Sequence, residues 1–237
     1  MRKLKIEIKK LSKNFEKRFV LKDLNLNIYE SESLSIIGES GSGKSVLARC
    51  ITGLTEFEKG KILTDDSKDV MKMSSKSLNE HISKFGILFQ NSALLDSLSV
   101  EENLKFTDKN INLSEILNEI NLSKKILKKF PSEISVGDQK RVGLARAILK
   151  EPEILILDEP TTGLDPLISN QINILIKNIV EKKKITAVTI THDMTSVNEY
   201  GEKVAFLKRG KIEWYGDAKK IYDTKNKNLK NFIDGAL

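Results

Sequence analysis

The sequence predicts an α/β protein whose core is a mainly parallel sheet covered by helices on both faces. Short, largely apolar runs at Ser33–Ile37, 85–89, 154–157 and 186–190 have the length of strands buried on both sides and lack the alternation of a half-exposed strand. Helical stretches such as 167–182 stand between such runs, as crossovers between parallel strands require. The run ending at Ile37 opens into Gly38-Glu39-Ser40-Gly41-Ser42-Gly43-Lys44-Ser45, and Val46-Leu47-Ala48-Arg49 then begins a helix. That strand, glycine-rich turn and helix, in this order, is the third observation.

Taken in chain order, residues 4–8 alternate charged and apolar side chains and read as a first strand, with no apolar core of a signal peptide ahead of it. Residues 24–29 and Ser33–Ile37 are further strands, and the helix after the glycine turn runs to about residue 54. A short strand begins at 60–63, and 85–89 reads as a buried one. From 92 to about 150 the pattern is mainly helical, with N-caps expected at Ser99, Ser114 and Ser135 and a break at Pro131. The strand at 154–157, the helix at 167–182 and the strand at 186–190 complete the alternation. Residues 213–217 read as a strand end and turn, with Trp214 packed. The tail from Ala218 is helical, and its Ile221, Tyr222, Leu229, Phe232 and Ile233 can dock on the chain's own core or on a partner, the chain's own core being the expected one. No internal repeat or long linker is visible.

Composition bounds the function. A chain of 237 residues suits one large domain, or one with an inserted subdomain. The net charge of +7 raises nucleic acid or an anionic membrane surface as partners. The lysines are scattered, however, with short clusters at 124–125, 128–129 and 182–184 and no aromatic residues interleaved as a stacking platform needs. They read as solvated faces, and no nucleic acid partner is expected. No apolar run approaches the roughly 18 residues of a membrane span. Cys50 is the only cysteine, which excludes an internal disulfide and fits a reducing cytoplasm; its place reads as a small buried residue.

The glycine turn satisfies G-x-x-x-x-G-K-[ST] in full. Its glycines let backbone N–H groups close around phosphate oxygens, and the helix that follows adds the favourable end of its dipole. Lys44 can then reach the β- and γ-phosphates of a nucleotide, and the Ser45 hydroxyl can ligate Mg²⁺. A second constellation is the apolar run 154–157 ending in Asp158-Glu159. Asp158 can hold the Mg²⁺ shell beside Ser45, and Glu159 can orient an attacking water or accept its proton. Gln90, just past the 85–89 strand, suits a polar contact to water and metal. His192, just past the 186–190 strand, suits a sensor of the γ-phosphate, because its strand should lie beside the one carrying Asp158. His81 has no such setting and reads as a structural histidine.

With these residues in place, the chain resembles the ATP-binding cassette (ABC) ATPases over nearly its whole length. Gln90 matches that family's Q-loop, His192 its switch histidine and residues 162–166 its D-loop region. Phe15, seven residues before Lys22, resembles the aromatic that stacks on adenine. Ile134-Ser135-Val136-Gly137-Asp138, continuing through 139–147, is similar to the family signature. The resemblance implies an ABC-type P-loop fold with an N-terminal antiparallel β subdomain. It implies a single domain over 1–237, divided into a nucleotide-binding core at 1–90 and 151–216, a helical subdomain at 91–150 and a helical tail at 217–237. It also implies ATP hydrolysis, with ATP and Mg²⁺ as cofactors. Lys44, Glu159 and His192 would be catalytic. Phe15, the loop from Gly38 through Ser45, Val46, Gln90, Ser135, Gly137 and Asp158 would bind the nucleotide, and Ser45, Gln90 and Asp158 the metal. In the implied homodimer each ATP is sandwiched between Lys44 and Ser45 of one copy and Ser135 and Gly137 of the other. The signature departs from Leu-Ser-Gly-Gly-Gln at Val136 and Asp138, and the charge of Asp138 near a polyphosphate is expected to slow turnover.

A lone cassette without membrane spans is expected to serve a separate integral-membrane permease, from the cytoplasmic face of the inner membrane. Residues 90–104 (QNSALLDSLSVEENL) and 230–235 (KNFIDG) resemble the matching stretches of Mla-type ATPases, which energise phospholipid transport. That resemblance implies lipid cargo and an MCE-type lipid-binding partner. The alternative is an importer of amino acids, metals or other small solutes; a cassette acting on DNA or ribosomes is a remoter one.

Overall fold

The computed structural model describes residues 2–16, 18–64 and 67–236. In chain order its elements are β1 (Leu4–Phe15), β2 (Arg18–Tyr29), β3 (Ser33–Ile37), α1 (Lys44–Ile51), β4 (Lys59–Thr64), α2 (Ser75–Ser83), β5 (Phe85–Leu88), α3 (Val100–Thr107), α4 (Leu113–Glu119), α5 (Val136–Ile148), β6 (Ile154–Asp158), α6 (Pro166–Lys183), β7 (Thr186–Thr191), α7 (Met194–Tyr200), β8 (Lys203–Lys208), β9 (Lys211–Asp217) and α8 (Lys227–Ala236). Six strands form one sheet in the order β5-β6-β7-β3-β8-β9, parallel except for β9, which runs antiparallel to β8. The other three form an antiparallel sheet, β2-β1-β4.

The continuous apolar strands are explained by what lies on their two faces. Successive side chains of a strand point to opposite sides. On β6, Ile154 and Ile156 pack with α1 and the antiparallel sheet, whereas Leu155 and Leu157 pack with α3 to α6. Val188 and Ile190 of β7 join the first cluster and Ala187 the second. Both faces are therefore dry, and every position of β3 and β7 is buried. A third cluster gathers Val204 and Phe206 of β8 with Val197 of α7 and Ile221, Leu229 and Ile233 of the tail, so the tail docks on its own core as its amphipathic spacing predicts. Tyr222 stays exposed, hydrogen-bonded to Asn198, and Trp214 is packed against this cluster. Cys50 is fully buried, and burial pushes its thiol up to about 12, which makes it inert at neutral pH.

Local differences from the sequence reading have identifiable causes. β1 and β2 run twelve residues each, beyond the predicted segments, because register shifts between Ile8 and Leu11, with Lys10 at φ 51°, carry pairing past the non-alternating Lys9-Lys10. Residues 92–99 are turns, not helix, with Ser92 and Ala93 both left-handed. Ser99 and Ser135 cap α3 and α5, Ser99 in a full capping box with Glu102. Ser114 is not a cap: the Asn112 side chain accepts from the Glu115 N–H and starts α4 before Ser114 is reached. Pro131 opens a 3₁₀ turn, Pro131–Glu133, that breaks the helical stretch.

Candidate active site

The parallel registers gather four functional segments at one sheet edge. Ile37 lies opposite Thr191, Asp158 opposite Ile190 and Leu88 opposite Leu157. The chain at each strand's carboxyl end therefore emerges side by side: the glycine turn after β3, Gln90 after β5, Asp158 ending β6 with Glu159 just after it, and His192 after β7. Crevices of this kind are where open α/β sheets bind ligands. Here the crevice is a cleft of about 680 Å³ whose wall includes Glu39, Ser40, Gly41, Gly43, Lys44, Ser45, Val46, Gln90, Glu159 and His192. The strand β7 does lie beside β6, as the placing of His192 required.

The turn is shaped as a cradle. Gly43, at φ 106°, precedes α1; a Cβ there would sit 2.9 Å from the Val20 carbonyl oxygen and strain the backbone. At Gly38 a Cβ would lie 2.2 Å from the Leu207 carbonyl oxygen. Lys44 is buried, its ammonium donating to the Gly38 and Glu39 carbonyls at 2.7 and 3.1 Å. Burial pushes its pKa below the ordinary lysine value, and Glu159 and Asp158 partly offset that. The Ser42 hydroxyl oxygen is buried with no hydrogen-bond partner, so the cradle has polar capacity left for phosphate oxygens.

Of the three metal ligands expected from sequence, Ser45 and Asp158 are in contact. Ser45 Oγ donates to Asp158 Oδ1 at 3.0 Å. Burial raises the Asp158 pKa, and the Ser45 hydrogen bond opposes the shift. Among the described residues no group of three His, Cys, Asp or Glu could hold a metal. The Ser45 hydroxyl and the Asp158 carboxylate, with Gln90 lining the same cleft as Ser45, are instead of the kind that suits Mg²⁺, which takes hard oxygens and keeps other positions for water and phosphate. Glu159 is a non-glycine residue in the left-handed region, φ 51°, and its N–H donates to the Ile190 carbonyl at 2.8 Å. Its carboxylate accepts from Thr162 Oγ1 at 3.0 Å and pairs with His192 Nδ1 at 2.9 Å. A backbone held in a sparsely populated conformation marks a site whose surroundings determine it.

Six predicted residues are not on the cleft wall of this chain: Gly38, Ser42 and Asp158 adjoin residues that line it, whereas Phe15, Ser135 and Gly137 lie apart from it. Ser135 and Gly137 line a different hollow with Asp138, Gly163 and Asp165. Ser135 Oγ accepts the Asp138 N–H at 3.1 Å, which leaves its own O–H to donate outward. Phe15, at the end of β1, is about half exposed, with Lys13 Nζ 4.8 Å from its ring centroid. His81 is buried, its Nε2 3.0 Å from the Ile51 carbonyl and its ring edge-on to Phe85, a structural role as read from sequence.

Sequence reasoning missed two contributors. The tail helix α8 supplies Asn228, Asn231 and Phe232 to the cleft wall beside Lys208, which bonds Asn228 at 3.1 Å and Glu39 at 3.5 Å. Lys140 of α5 is 2% exposed and donates to the main-chain carbonyls of Gln90 and Glu159. Burial lowers its pKa, and Asp158 and Glu159 oppose that. A signal existed: Lys140 shares a helical stripe with Leu144 and Ala147, so it sits on a face that is otherwise apolar.

The ABC transporter family profile matches residues 21–162, the span from β2 through the carboxylates and their following turn. The chain belongs to the ABC transporter family. The cassette is 37% identical to the methionine import ATP-binding protein MetN of Clostridium acetobutylicum, over 96% of this chain and 73% of that protein. Among solved structures it is similar to the dimeric post-hydrolysis state of the ATP-binding cassette MJ0796 bound to ADP and Pi, with a TM-score of 0.80 and 30% identity over 90% of this chain and 98% of that one. It is also similar to cbiO1 of Clostridium perfringens, part of the ABC transporter complex cbiONQ, with a TM-score of 0.83 and 28% identity over 99% and 96% of the two chains. The cassette is an ATPase, and ATP and Mg²⁺ are its cofactors. No helix of the described residues is long and apolar enough to cross a membrane.

Proposed function

We propose that this cassette is the nucleotide-binding subunit of an ABC importer for an amino acid of the methionine class, working beside a separate permease on the cytoplasmic face of the membrane. The observation that carries this is the likeness to methionine import ATP-binding proteins over 96% of the chain. It outweighs the Mla-type resemblance, which rests on the short stretches 90–104 and 230–235. Phospholipid cargo and an MCE-type partner therefore give way to the importer alternative.

In this reading the turn from Gly38 to Ser45 wraps the phosphates with backbone N–H groups, and Lys44 turns from the Gly38 and Glu39 carbonyls toward them. Ser45, Asp158 and Gln90 would hold Mg²⁺, which would supply positive charge against the phosphates. Phe15 offers its ring to adenine. Glu159 orients the attacking water and takes its proton. The carboxylate is already aimed, since Thr162 and His192 hold it, and His192 exchanges this contact for the γ-phosphate. Ser135 and Gly137 act on the nucleotide of a second copy. Ser135 retains a free O–H for that contact, and two composite sites form per dimer.

The test is a pull-down from detergent-solubilised membranes with the Glu159→Gln protein and ATP, read by protein and lipid mass spectrometry. The expected result is a polytopic permease with a solute-binding protein and no enriched lipid. Recovery of phospholipid with an MCE-type protein would overturn the importer reading and restore the lipid one.

A further inference from the structure

The signature helix and the hydrolytic strand ends meet at one buried cation. Lys140 lies in the first turns of α5, three residues after Gly137, and its ammonium donates to the main-chain carbonyls of Gln90 and, at 3.3 Å, Glu159. Those residues come from the ends of two neighbouring strands, β5 and β6. The Glu159 carbonyl belongs to a left-handed residue, so a donor on it helps keep the main chain in a conformation that it does not favour by itself. The helix cannot slide under these contacts. At Gly86 of β5 a Cβ would lie 2.0 Å from the Ala147 carbonyl oxygen, and at Gly143 of α5 one would lie 3.1 Å from the Ser92 carbonyl oxygen. The helix backbone thus rests directly on the strand and on the segment that follows it.

We propose that Lys140 is a positioning residue for hydrolysis: it fixes the backbone at Gln90 and Glu159 to the signature helix, so that the contact Ser135 and Gly137 make with the second copy's nucleotide sets the geometry at the chain's own γ-phosphate. The proposal rests on the site reading above. Lys140 touches no substrate, and its effect is on where the Glu159 carboxylate and Gln90 amide stand. Removing its ammonium leaves two carbonyls without this donor and lets both strand ends relax by a fraction of an ångström, which is enough to cost a large factor in rate.

The experiment compares K140M, which matches length without a donor, and K140Q, whose amide retains one, with the native protein and with E159Q. Thermal midpoint, ATP Kd, kcat and KM are measured for each. K140M is expected to lower kcat by about tenfold or more while ATP Kd changes by less than about twofold, and K140Q to recover part of the loss. Native kcat in K140M overturns the proposal. So does a joint loss of ATP affinity and turnover with no recovery in K140Q, the mark of a merely structural lysine. If K140M does not fold, K140Q alone carries the comparison: reduced kcat with ATP affinity kept supports the role, and native kcat overturns it. E159Q separates the two levels. Native turnover in E159Q defeats the site reading itself, whereas a dead E159Q beside a fully active K140M defeats only the role of Lys140.

Discussion

Lys44 is held in the free protein by two carbonyls of the turn it serves, and burial places its pKa below the ordinary lysine value. If phosphate binding uses this ammonium, as proposed, the free protein loses competence as pH rises through that lowered pKa. Since kcat/KM reports ionisations of the free enzyme, its alkaline limb is expected below the pH at which a solvated lysine titrates. Bound phosphates favour the charged form, so the limb of kcat itself is expected at higher pH. Steady-state profiles over the alkaline range check this, and coincident limbs would refute it. The places of Lys44, Ser45, Asp158, Gln90 and His192 were legible because each ends or follows a strand whose apolar run can be read, and parallel pairing brings such ends together. Lys140 was not legible as a contact, because its burial depends on how α5 lies against β5 and β6. Asn228 and Phe232 were hidden for the same reason: amphipathic spacing says that α8 docks, not that it docks beside the phosphate turn.

At the scale of elements, the proposed function gives the N-terminus of the signature helix a second use besides its cap. Ser135 caps it, and Asp138 stands in its first turn, where a negative charge favours the helix dipole by about 0.3–1 kcal/mol. The same charge opposes a polyphosphate brought to Ser135 and Gly137. Asp138→Gln is therefore expected to move stability and turnover in opposite directions. The thermal midpoint falls slightly, while kcat rises severalfold, about the effect of removing one partly screened like charge. Unchanged turnover, measured with saturating ATP, would show that Asp138 does not face the phosphates. The caps at Ser99 and Ser135 could be read because Ser with a partner three residues on is a local signal. Asn112 took the role expected of Ser114 because an earlier, equally good cap pre-empts a later one. The extension of β1 and β2 was less legible, since a register shift breaks the alternation by which strands are read.

For the whole molecule, the decisive fact is a separation. Lys44, Ser45, Glu159 and His192 surround one cleft, while Ser135 and Gly137 line another hollow of the same chain. If all six act on one nucleotide, a second copy must supply the last two, and a twofold pair does so at both sites at once. The nucleotide is then part of the interface, so association depends on the γ-phosphate that both copies touch. On the proposed reading Glu159→Gln keeps the shape of the site and removes the base, and it is expected to elute as a dimer with ATP and Mg²⁺ and as a monomer with ADP. The native protein turns the pair over, so its specific activity is expected to rise with protein concentration until the dimer saturates. Light scattering on the eluted peaks and a concentration series of ATPase rates check the two halves. A monomeric Glu159→Gln protein that demonstrably holds ATP, with a specific activity of the native protein independent of concentration, would leave each cleft to work alone and remove Ser135 and Gly137 from the site.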